Sequence, residues 1–322
     1  MKTWLHRLSF KTFLGKLIIF IIIVVIGLLV LNHFLFATQP SPISGPPANV
    51  PKEVSFITVN VDGLDADFFY NNKSQGPQRA VVLLGGSEGG RYWSYQTAFV
   101  QQLINQGYCV LSLAYFGTNR LPQNLRAIPL EYFQKAFLWL SAQKNLVVPD
   151  NYALVGASRG AELALLLGSR YSQVKAVVAI DPSSVVFPGP PTSLLEAFWK
   201  EHSAWSEKGQ ELSFVSIPHT WATFKGMASG KRTEMFQNAL MDTSQVEAAA
   251  IPAEKMKCHV LLISFKYDQV WPSPLMCGQI AKRLQDSGFN YYYEHTEYNG
   301  HHSDWSIPAC HKNILTFLKD RF

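Results

Sequence analysis

Charged residues are scarce in this sequence. They make up 16% of its 322 residues, whereas hydrophobic residues make up 48% and aromatic residues 13%. Such an apolar composition excludes a disordered tail, a low-complexity segment and a collagen-like chain, and it suffices for a sizeable core. Cysteine occurs only at Cys109, Cys258, Cys277 and Cys310. Their spacing fits neither a metal site nor a disulfide scaffold, and their pairing in an oxidising compartment stays open.

Signatures of nucleotide and nucleic-acid binding are also missing. The glycine-rich loop at residues 85–90 has neither a G-K-[ST] nor a G-x-G-x-x-G frame. The formal net charge is +5, but residues 1–16 carry four basic and no acidic side chains, so 24 basic residues almost balance 23 acidic ones in the remainder. Because a nucleic-acid-binding face needs its basic residues clustered on the folded domain, we expect no nucleic-acid partner.

A long apolar run follows the basic start. Residues 17–31 contain no polar side chain, and after Asn32 and His33 the run continues to residue 37. This matches the roughly 20 residues that span a bilayer, and the positive-inside rule then puts residues 1–16 in the cytoplasm. A cleaved signal peptide and a buried core helix are the alternatives, but the run is long and no A-x-A site follows it. We predict a single transmembrane signal-anchor helix over residues 17–37, with the rest of the chain extracytoplasmic.

The rest of the chain divides into a spacer and one folded domain. Residues 38–51 hold five prolines and no charge, which is typical of a semi-rigid extended linker. We therefore predict a Pro-rich linker over residues 38–52 and one domain over residues 53–322.

Within that domain, short β-branched runs alternate with segments of helical period. Such alternation requires crossover connections, so it predicts an α/β fold whose mostly parallel sheet has helices on both faces. Residues 54–60 and 66–70 precede it as a hairpin, and residues 182–257 are too long for a simple crossover and are predicted to form a lid. The expected strands of the sheet are residues 80–84, 108–113, 152–155, 175–180, 259–264 and 291–297.

The most specific local motif is Gly156-Ala157-Ser158-Arg159-Gly160, which lies between a buried strand and a helical segment. A G-x-S-x-G sequence in this context is typical of a nucleophile elbow, where the glycines permit a strained turn that exposes the serine hydroxyl. A helix-capping serine is the alternative. We expect Ser158 to be the nucleophile.

A serine nucleophile needs a histidine base, itself oriented by a carboxylate. Asp268 follows the expected strand at residues 259–264, and His301 follows the expected last strand. Both lie where a serine hydrolase of α/β type carries its acid and base. Asp181 is the second candidate for the acid, and His302 is the rival of its neighbour, since only one of two adjacent side chains can face the serine. We predict Asp268 and His301.

Two backbone N–H groups should stabilise the oxyanion of the tetrahedral intermediate. One is expected from Arg159, directly after the nucleophile. The other is expected from Gly86 or Ser87, because glycines in this loop allow the backbone to approach a reacting carbonyl.

Together these motifs resemble the α/β-hydrolase superfamily, and within it the acyl-CoA thioester hydrolase and bile acid-CoA:amino acid N-acyltransferase family. The resembling segments occur in family order over residues 79–302. They are residues 85–90, 113–117, 129–133, 156–163, 268–273 and 299–301.

The resemblance implies a triad of Ser158, Asp268 and His301 and an acyl-enzyme route. It also implies that serine, rather than the cysteine typical of the family's amino-acid transferases, favours water as the acyl acceptor. Two features depart from the family pattern. Residues 52–78 are too few for the N-terminal β-sandwich domain that family members commonly carry, and CoA thioesters are chiefly cytoplasmic. Either the substrate is another ester, thioester or amide, or the topology is inverted.

The sequence thus predicts a membrane-anchored serine hydrolase that acts on a small-molecule acyl ester or thioester and needs neither a metal nor an organic cofactor. An acyltransferase that passes the acyl group to an amine or alcohol is one alternative, and a catalytically silent binding module is another. The predicted lid is rich in large apolar residues, which would form either an acyl pocket or a small separate core. They are Phe187, Phe198, Trp199, Trp205, Phe214, Trp221, Phe224, Met227, Phe236 and Met241.

Overall fold

The computed structural model describes residues 2–36, 47 and 50–322. The chain forms two compact units. One comprises Met1–Pro40 and Pro191–Lys200, and the other comprises Ser41–Pro190 and Glu201–Phe322. The linker predicted over residues 38–52 lies largely outside the described residues, and it stays a prediction.

An eight-stranded sheet forms the centre of the larger unit, in the order β1-β2-β4-β3-β6-β7-β10-β11. The first two pairings, β1 with β2 and β2 with β4, are antiparallel, and all the others are parallel. A small second sheet has the order β5-β8-β9. The strands are β1 (Val54–Val59), β2 (Asp65–Asn71), β3 (Gln78–Leu84), β4 (Cys109–Ala114), β5 (Ile128–Pro129), β6 (Val147–Ala157), β7 (Val174–Ile180), β8 (Trp205–Glu207), β9 (Gln210–Glu211), β10 (His259–Phe265) and β11 (Tyr293–Tyr298).

Ten α-helices accompany these strands in the described part of the chain. They are α1 (Lys2–Phe36), α2 (Thr97–Asn105), α3 (Glu131–Ala142), α4 (Arg159–Gly168), α5 (Leu194–Trp199), α6 (Trp221–Ser229), α7 (Thr233–Ala239), α8 (Thr243–Ala248), α9 (Ser273–Asp286) and α10 (Pro308–Arg321). The mostly parallel sheet with alternating helices that the sequence predicts is confirmed.

Two hydrophobic cores explain why these segments fold as they do. The inner strands are buried along almost their whole length, as the six buried residues of β4 illustrate, because helices cover both faces of a parallel sheet. The helix α3 turns Phe133, Phe137 and Leu140 inward, and all three are buried. The two cores contain alternate residues of the same strands, for example Val82 in one and Val81 in the other.

Some of the large apolar residues of the predicted lid lie in hydrophobic cores, and others are exposed. Phe187 and Phe236 pack in a third, smaller cluster with Trp271, and Trp205 is buried in one of the two main cores. Trp221, by contrast, is 75% exposed. The alternative that these residues form a small separate core therefore holds for part of the segment 182–257. The role of this segment as a lid stays a prediction.

The smaller unit contains α1 and the segment Pro191–Lys200. Within α1, Gly15–His33 has a mean hydropathy of 2.7 and none of it is buried. By length and composition it is able to cross a membrane, a property that a signal sequence shares. The backbone N–H of Leu194 donates to Asn32 Oδ1 over 2.9 Å, which links α5 to the end of this apolar run.

Candidate active site

Ser158 lies at a sharp turn between β6 and α4. Its backbone has φ 56° and ψ −118°, a conformation that costs energy in a residue with a side chain. The flanking glycines make the turn feasible. A side-chain carbon at Gly156 would lie 2.0 Å from the carbonyl oxygen of Gly160, and one at Gly160 would lie 2.2 Å from that of Leu84. The predicted elbow geometry is thus present, and it exposes the serine hydroxyl at the ends of the parallel strands.

The histidine that meets Ser158 is His302. Its Nε2 lies 2.9 Å from Ser158 Oγ, and its Nδ1 lies 2.9 Å from Asp268 Oδ2 and 3.0 Å from Oδ1. The ring packs edge-on against Trp271, with the centroids 5.9 Å apart. Three side chains from three separate loops therefore form one continuous hydrogen-bonded chain.

The structure differs here from the prediction of His301. The imidazole of His301 is exposed, and its Nδ1 lies 3.2 Å from the backbone oxygen of Tyr267. Its backbone N–H donates to Asp304 Oδ2 over 2.7 Å. This turn points His301 away from the serine and His302 toward it, so the rival candidate takes the position between Ser158 and Asp268.

Asp268 lies just after β10, where the sequence predicts it. Only 1% of its side chain is exposed, and its Oδ1 also accepts the backbone N–H groups of Val270 and Trp271, over 2.9 and 3.1 Å. These donors fix the carboxylate with both oxygens directed at His302.

A second buried carboxylate, that of Asp181, lies behind the same histidine. It follows β7, and its Oδ2 is 3.9 Å from His302 Nδ1. It accepts the backbone N–H of Ser303 over 2.7 Å and the hydroxyl of Ser273 over 3.0 Å. Asp181 thus holds the loop that carries His302, while Asp268 contacts the ring itself.

Burial and charge shift the pKa values of this cluster. Burial alone would lower the pKa of His302, but the hydrogen bond to Asp268 and the charges of Asp181, Asp268 and Glu88 outweigh it, and the pKa is raised. Burial, together with the charge of Asp268, raises the pKa of Asp181 to about 7, although the charge of His302 opposes the shift. The histidine is therefore a stronger base than a free imidazole.

The glycine-rich loop after β3 borders the elbow, as expected for an oxyanion loop. A side-chain carbon at Gly86 would lie 3.2 Å from Ser158 Cβ. However, the Gly86 N–H donates to Glu88 Oε1 over 2.7 Å, and Ser87 is exposed. The sequence analysis assigns no role to Glu88, an acidic residue within this glycine-rich loop. The oxyanion roles of Gly86, Ser87 and Arg159 stay predictions.

The side chain of Arg159 is buried and points away from the solvent. Its guanidinium donates to Glu162 Oε2 over 2.9 Å and to the backbone oxygen of Pro188 over 2.6 Å, and it lies 5.4 Å from the centre of a Trp271 ring. Glu162 also accepts the indole N–H of Trp205 over 2.6 Å. This network anchors the first turn of α4 below the nucleophile.

Asp181, Asp268 and His302 could in principle also hold a cation. Their ligand atoms lie within 4.8 Å of one another. Each of these groups is, however, hydrogen-bonded within the protein, and the histidine nitrogen that faces away from Asp268 faces Ser158. The arrangement suits proton transfer from a hydroxyl better than metal binding.

Solved structures with a similar fold include an esterase and a peptidase. An esterase of Pyrococcus furiosus aligns with a TM-score of 0.58 and 13% identity, covering 88% of this chain and 98% of the esterase. An acylaminoacyl peptidase of Pyrococcus horikoshii aligns with a TM-score of 0.55 and 13% identity, covering 84% of this chain and 42% of the peptidase. At this level of identity the likeness shows the fold, which is that of the α/β-hydrolases.

Two proteins named for reactions of acyl-coenzyme A are similar in sequence. Acyl-coenzyme A thioesterase 5 of Mus musculus is 27% identical over 245 residues, which cover 73% of this chain and 52% of the thioesterase. Acyl-coenzyme A amino acid N-acyltransferase 2 of Rattus norvegicus is 27% identical over 215 residues, which cover 66% of this chain and 46% of the transferase. The chain therefore spans about half the length of these relatives.

The family profile described as "BAAT / Acyl-CoA thioester hydrolase C terminal" matches residues 128–319. This region contains Ser158, Asp268 and His302, and it covers more than half of the chain. The chain belongs to the BAAT / acyl-CoA thioester hydrolase C-terminal family and has the α/β-hydrolase fold.

Proposed function

We propose that this protein is a membrane-anchored serine hydrolase that cleaves acyl thioesters or esters through an acyl-enzyme intermediate. The observation that carries the proposal is the hydrogen-bonded chain from Ser158 through His302 to Asp268, with 2.9 Å between Ser158 Oγ and His302 Nε2 and 2.9 Å between His302 Nδ1 and Asp268 Oδ2. A hydroxyl with a positioned imidazole and a buried carboxylate behind it is the arrangement that activates a serine at neutral pH.

In the first half of the reaction, Ser158 Oγ attacks the acyl carbonyl while His302 Nε2 takes its proton. Asp268 accepts the Nδ1–H of His302 and stabilises the imidazolium that forms. The tetrahedral intermediate then collapses, the bond to the thiolate or alkoxide leaving group breaks, and His302 returns the proton to that group. The product is an ester between the acyl group and Ser158.

In the second half, water replaces the leaving group. His302 takes a proton from the water, the hydroxide attacks the acyl-enzyme, and the proton passes to Ser158 Oγ as the carboxylic acid departs. Backbone N–H groups of Arg159 and of the loop at residues 85–90 would stabilise the oxyanion in both steps.

Family membership supports an acyl thioester as the substrate class. The mouse relative is named an acyl-coenzyme A thioesterase, and the rat relative is named an N-acyltransferase. The second relative supports one alternative, in which an amine takes the place of water in the second half. Both routes use the same acyl-enzyme, so they differ only in the acceptor.

The membrane anchor rests on α1. Its segment Gly15–His33 is apolar and unburied. The four basic residues of positions 1–16 lie before this segment or at its N-terminal end. Positive charge on the N-terminal side favours a cytoplasmic N-terminus and an extracytoplasmic catalytic unit. In this arrangement the apolar run of residues 17–37, most of which lies in α1, acts as a signal anchor.

The test uses the full chain in detergent, with wild type and Ser158→Ala compared. We expect a fluorophosphonate to label wild type only, and acyl-CoAs and p-nitrophenyl esters to be hydrolysed by wild type only. Equal turnover by the two proteins would refute a serine mechanism, and absence of both labelling and turnover would favour a silent binding module. Acyl transfer to an added amine in preference to water would establish the transferase alternative.

Topology needs a separate measurement. A reporter fused after Phe322 is expected to be active only when it requires an extracytoplasmic location. Activity of a reporter that works only in the cytoplasm would refute the proposed orientation, and a mature chain that lacks residues 1–37 would identify α1 as a cleaved signal.

A further inference from the structure

The short helix α5 is joined to α1 near the C-terminal end of the apolar run. The backbone N–H of Leu194, the first residue of α5, donates to Asn32 Oδ1 over 2.9 Å. Asn32 is one residue before the end of Gly15–His33 and five before residue 37, where the proposed anchor ends. Because a helix rises about 1.5 Å per residue, Asn32 lies about 2 to 8 Å inside the C-terminal end of the span. This hydrogen bond therefore sets the depth at which α5 begins.

The same hydrogen bond satisfies two polar groups that would otherwise lack partners at this depth. An amide side chain close to the hydrocarbon of a bilayer is costly unless another group hydrogen-bonds to it. The N–H groups in the first turn of a helix, in turn, have no acceptor within that helix. Asn32 and Leu194 supply one acceptor and one donor, so their pairing suits a place that water barely reaches.

The first turn of α5 is held by further hydrogen bonds, although the helix comprises only six residues, Leu194–Trp199. Ser193 Oγ accepts the backbone N–H of Glu196 over 3.2 Å. Glu196 Oε2 accepts the backbone N–H and the hydroxyl of Thr192, over 2.8 and 2.6 Å. This arrangement resembles a capping box, which stabilises the start of a helix. It also ties the one acidic side chain of α5 to the chain before the helix.

One face of α5 presents two large apolar side chains. Leu195 and Trp199 are four residues apart, so they lie on the same face of the helix. Leu195 is 66% exposed and Trp199 is 77% exposed. Leucine and tryptophan are the residue types with which interfacial helices enter the boundary between headgroups and acyl chains, and tryptophan is enriched at that level of a bilayer. The face therefore suits a lipid surface.

The length of α5 keeps this face close to the bilayer at any tilt. Its six residues extend about 9 Å, and the headgroup layer adds about 5 to 8 Å beyond the hydrocarbon on each side. Because α5 begins about 2 to 8 Å inside the span, Trp199 stays within the headgroup layer even if the helix points straight outward. Lys200, which follows directly, is exposed and carries the charge that lipid phosphates attract.

We infer that α5 is a second membrane contact, with Leu195 and Trp199 inserted at the boundary between the headgroups and acyl chains of the phospholipid bilayer that α1 crosses. Asn32 holds the start of α5 at that depth. The inference rests on the proposed anchor and adds a lipid-binding surface to it. In this arrangement α1 spans the bilayer, and α5 lies on it.

The experiment measures the depth of a nitroxide spin label in the full-length protein, reconstituted into phosphatidylcholine vesicles. The label is attached to one introduced cysteine at a time, which is feasible because the four native cysteines are buried. Molecular oxygen concentrates in the bilayer and a neutral nickel chelate stays in water, so the ratio of their effects on the label reports its depth. The test sites are Leu195→Cys and Trp199→Cys. Ile22→Cys, in the apolar run, is the control for the span, and Asp320→Cys, at an exposed position, is the control for water.

We expect the oxygen-to-nickel ratio at residues 195 and 199 to be several-fold higher than at residue 320 and lower than at residue 22. Asn32→Leu should lower the ratio at residue 199, because α5 loses the acceptor that holds its first N–H. Val30→Leu changes no polar group in the same part of α1, and it should leave the ratio at residue 199 unchanged.

The outcomes that contradict the inference are distinct from failure of the anchor. Ratios at residues 195 and 199 equal to that at residue 320, with a high ratio at residue 22, would overturn the inference and leave the anchor in place. Labels at residues 195 and 199 that neither oxygen nor nickel reaches would also overturn it, since a protein surface such as a second copy of this chain would then cover the face. An unchanged ratio in Asn32→Leu would refute the role of Asn32. A low ratio at residue 22 would mean that α1 does not span the bilayer, and the anchor and the inference would fail together.

Discussion

The carboxylate of Asp181 and the imidazole of His302 are neighbours that do not form a direct hydrogen bond, with 3.9 Å between Asp181 Oδ2 and His302 Nδ1. The closer partner of that nitrogen is Asp268, at 2.9 Å. Asp181 instead accepts the backbone N–H of the next residue, Ser303. Two carboxylates thus position one histidine. Asp268 accepts a hydrogen bond from its ring, and Asp181 accepts one from the backbone of its loop.

This relationship predicts a pH dependence of stability. The pKa of Asp181 is raised from 3.8 to about 7, first by burial. A carboxyl group whose pKa is higher in the folded state favours folding when protonated, so stability is lost as pH rises from about 4 to above 7. We expect Asp181→Asn to remove this loss. Its free energy of unfolding, relative to wild type, should increase over that range, as measured by urea denaturation of the full chain in detergent.

The control is Asp320→Asn, since Asp320 is exposed on α10. Its difference from wild type should not follow the same curve. A difference between Asp181→Asn and wild type that is constant with pH would mean that Asp181 is ionised throughout this range in the folded protein.

Substitution of the two neighbouring histidines is expected to affect kcat very differently. His302→Ala removes the only imidazole that the structure brings to Ser158 within the described residues, so we expect kcat to fall by roughly 10⁴-fold or more. His301→Ala removes an exposed ring and should leave kcat nearly unchanged. Ester turnover and fluorophosphonate labelling of the two variants measure this directly. A comparable loss in His301→Ala would contradict the observed geometry.

The same pair shows where sequence reasoning reached its limit. Ser158 and Asp268 could be predicted because each follows a buried strand, and the order of strands dictates where the strand ends meet. The choice between His301 and His302 depends on the direction of two adjacent side chains. That direction is set by Asp304, which accepts the His301 N–H, and by Asp181, which accepts that of Ser303 from a distant strand. No local pattern carries this information.

Glu88 illustrates a second limit. The glycines around it predicted a loop that approaches the substrate, and the structure also has a carboxylate between them. A sequence gives no sign of whether an acidic side chain in such a loop folds inward or extends into solvent. By contrast, the sheet was predictable, because strands buried on both faces need continuous apolar runs.

Adding one side-chain carbon at an elbow glycine is expected to destabilise the protein strongly. In Gly160→Ala the new carbon would lie 2.2 Å from the carbonyl oxygen of Leu84 and 2.4 Å from that of Gly85. Both are backbone atoms, so β3 or α4 must shift. We expect a destabilisation on the order of 3 kcal/mol or more, seen as a lower denaturation midpoint. Gly278→Ala in α9 meets nothing within 4 Å and should stabilise the protein by about 0.5–1 kcal/mol. Equal midpoints for the two variants would contradict the tight contact between α4 and β3.

We predict that all four cysteines are free thiols that do not react while the protein is folded. All four are free and buried, and burial raises the pKa of Cys109, Cys258 and Cys310 to about 12 each. The pKa of Cys277 is also raised, by burial and then by the charge of Asp181. Because only the thiolate reacts, Ellman's reagent at about pH 8 should find no reactive thiol in the folded protein and four after denaturation.

A disulfide bond would lower the number of free thiols in the denatured protein. Two thiols in the denatured protein, rising to four after reduction, would show that two cysteines pair in the cell, against the arrangement described here. The protein should therefore be isolated with its thiols blocked by iodoacetamide during denaturation, so that pairing during purification is excluded. Mass spectrometry then assigns any unblocked cysteine. Four alkylated positions, at Cys109, Cys258, Cys277 and Cys310, are the expected result, and they would show that none of the four thiols is paired in the cell.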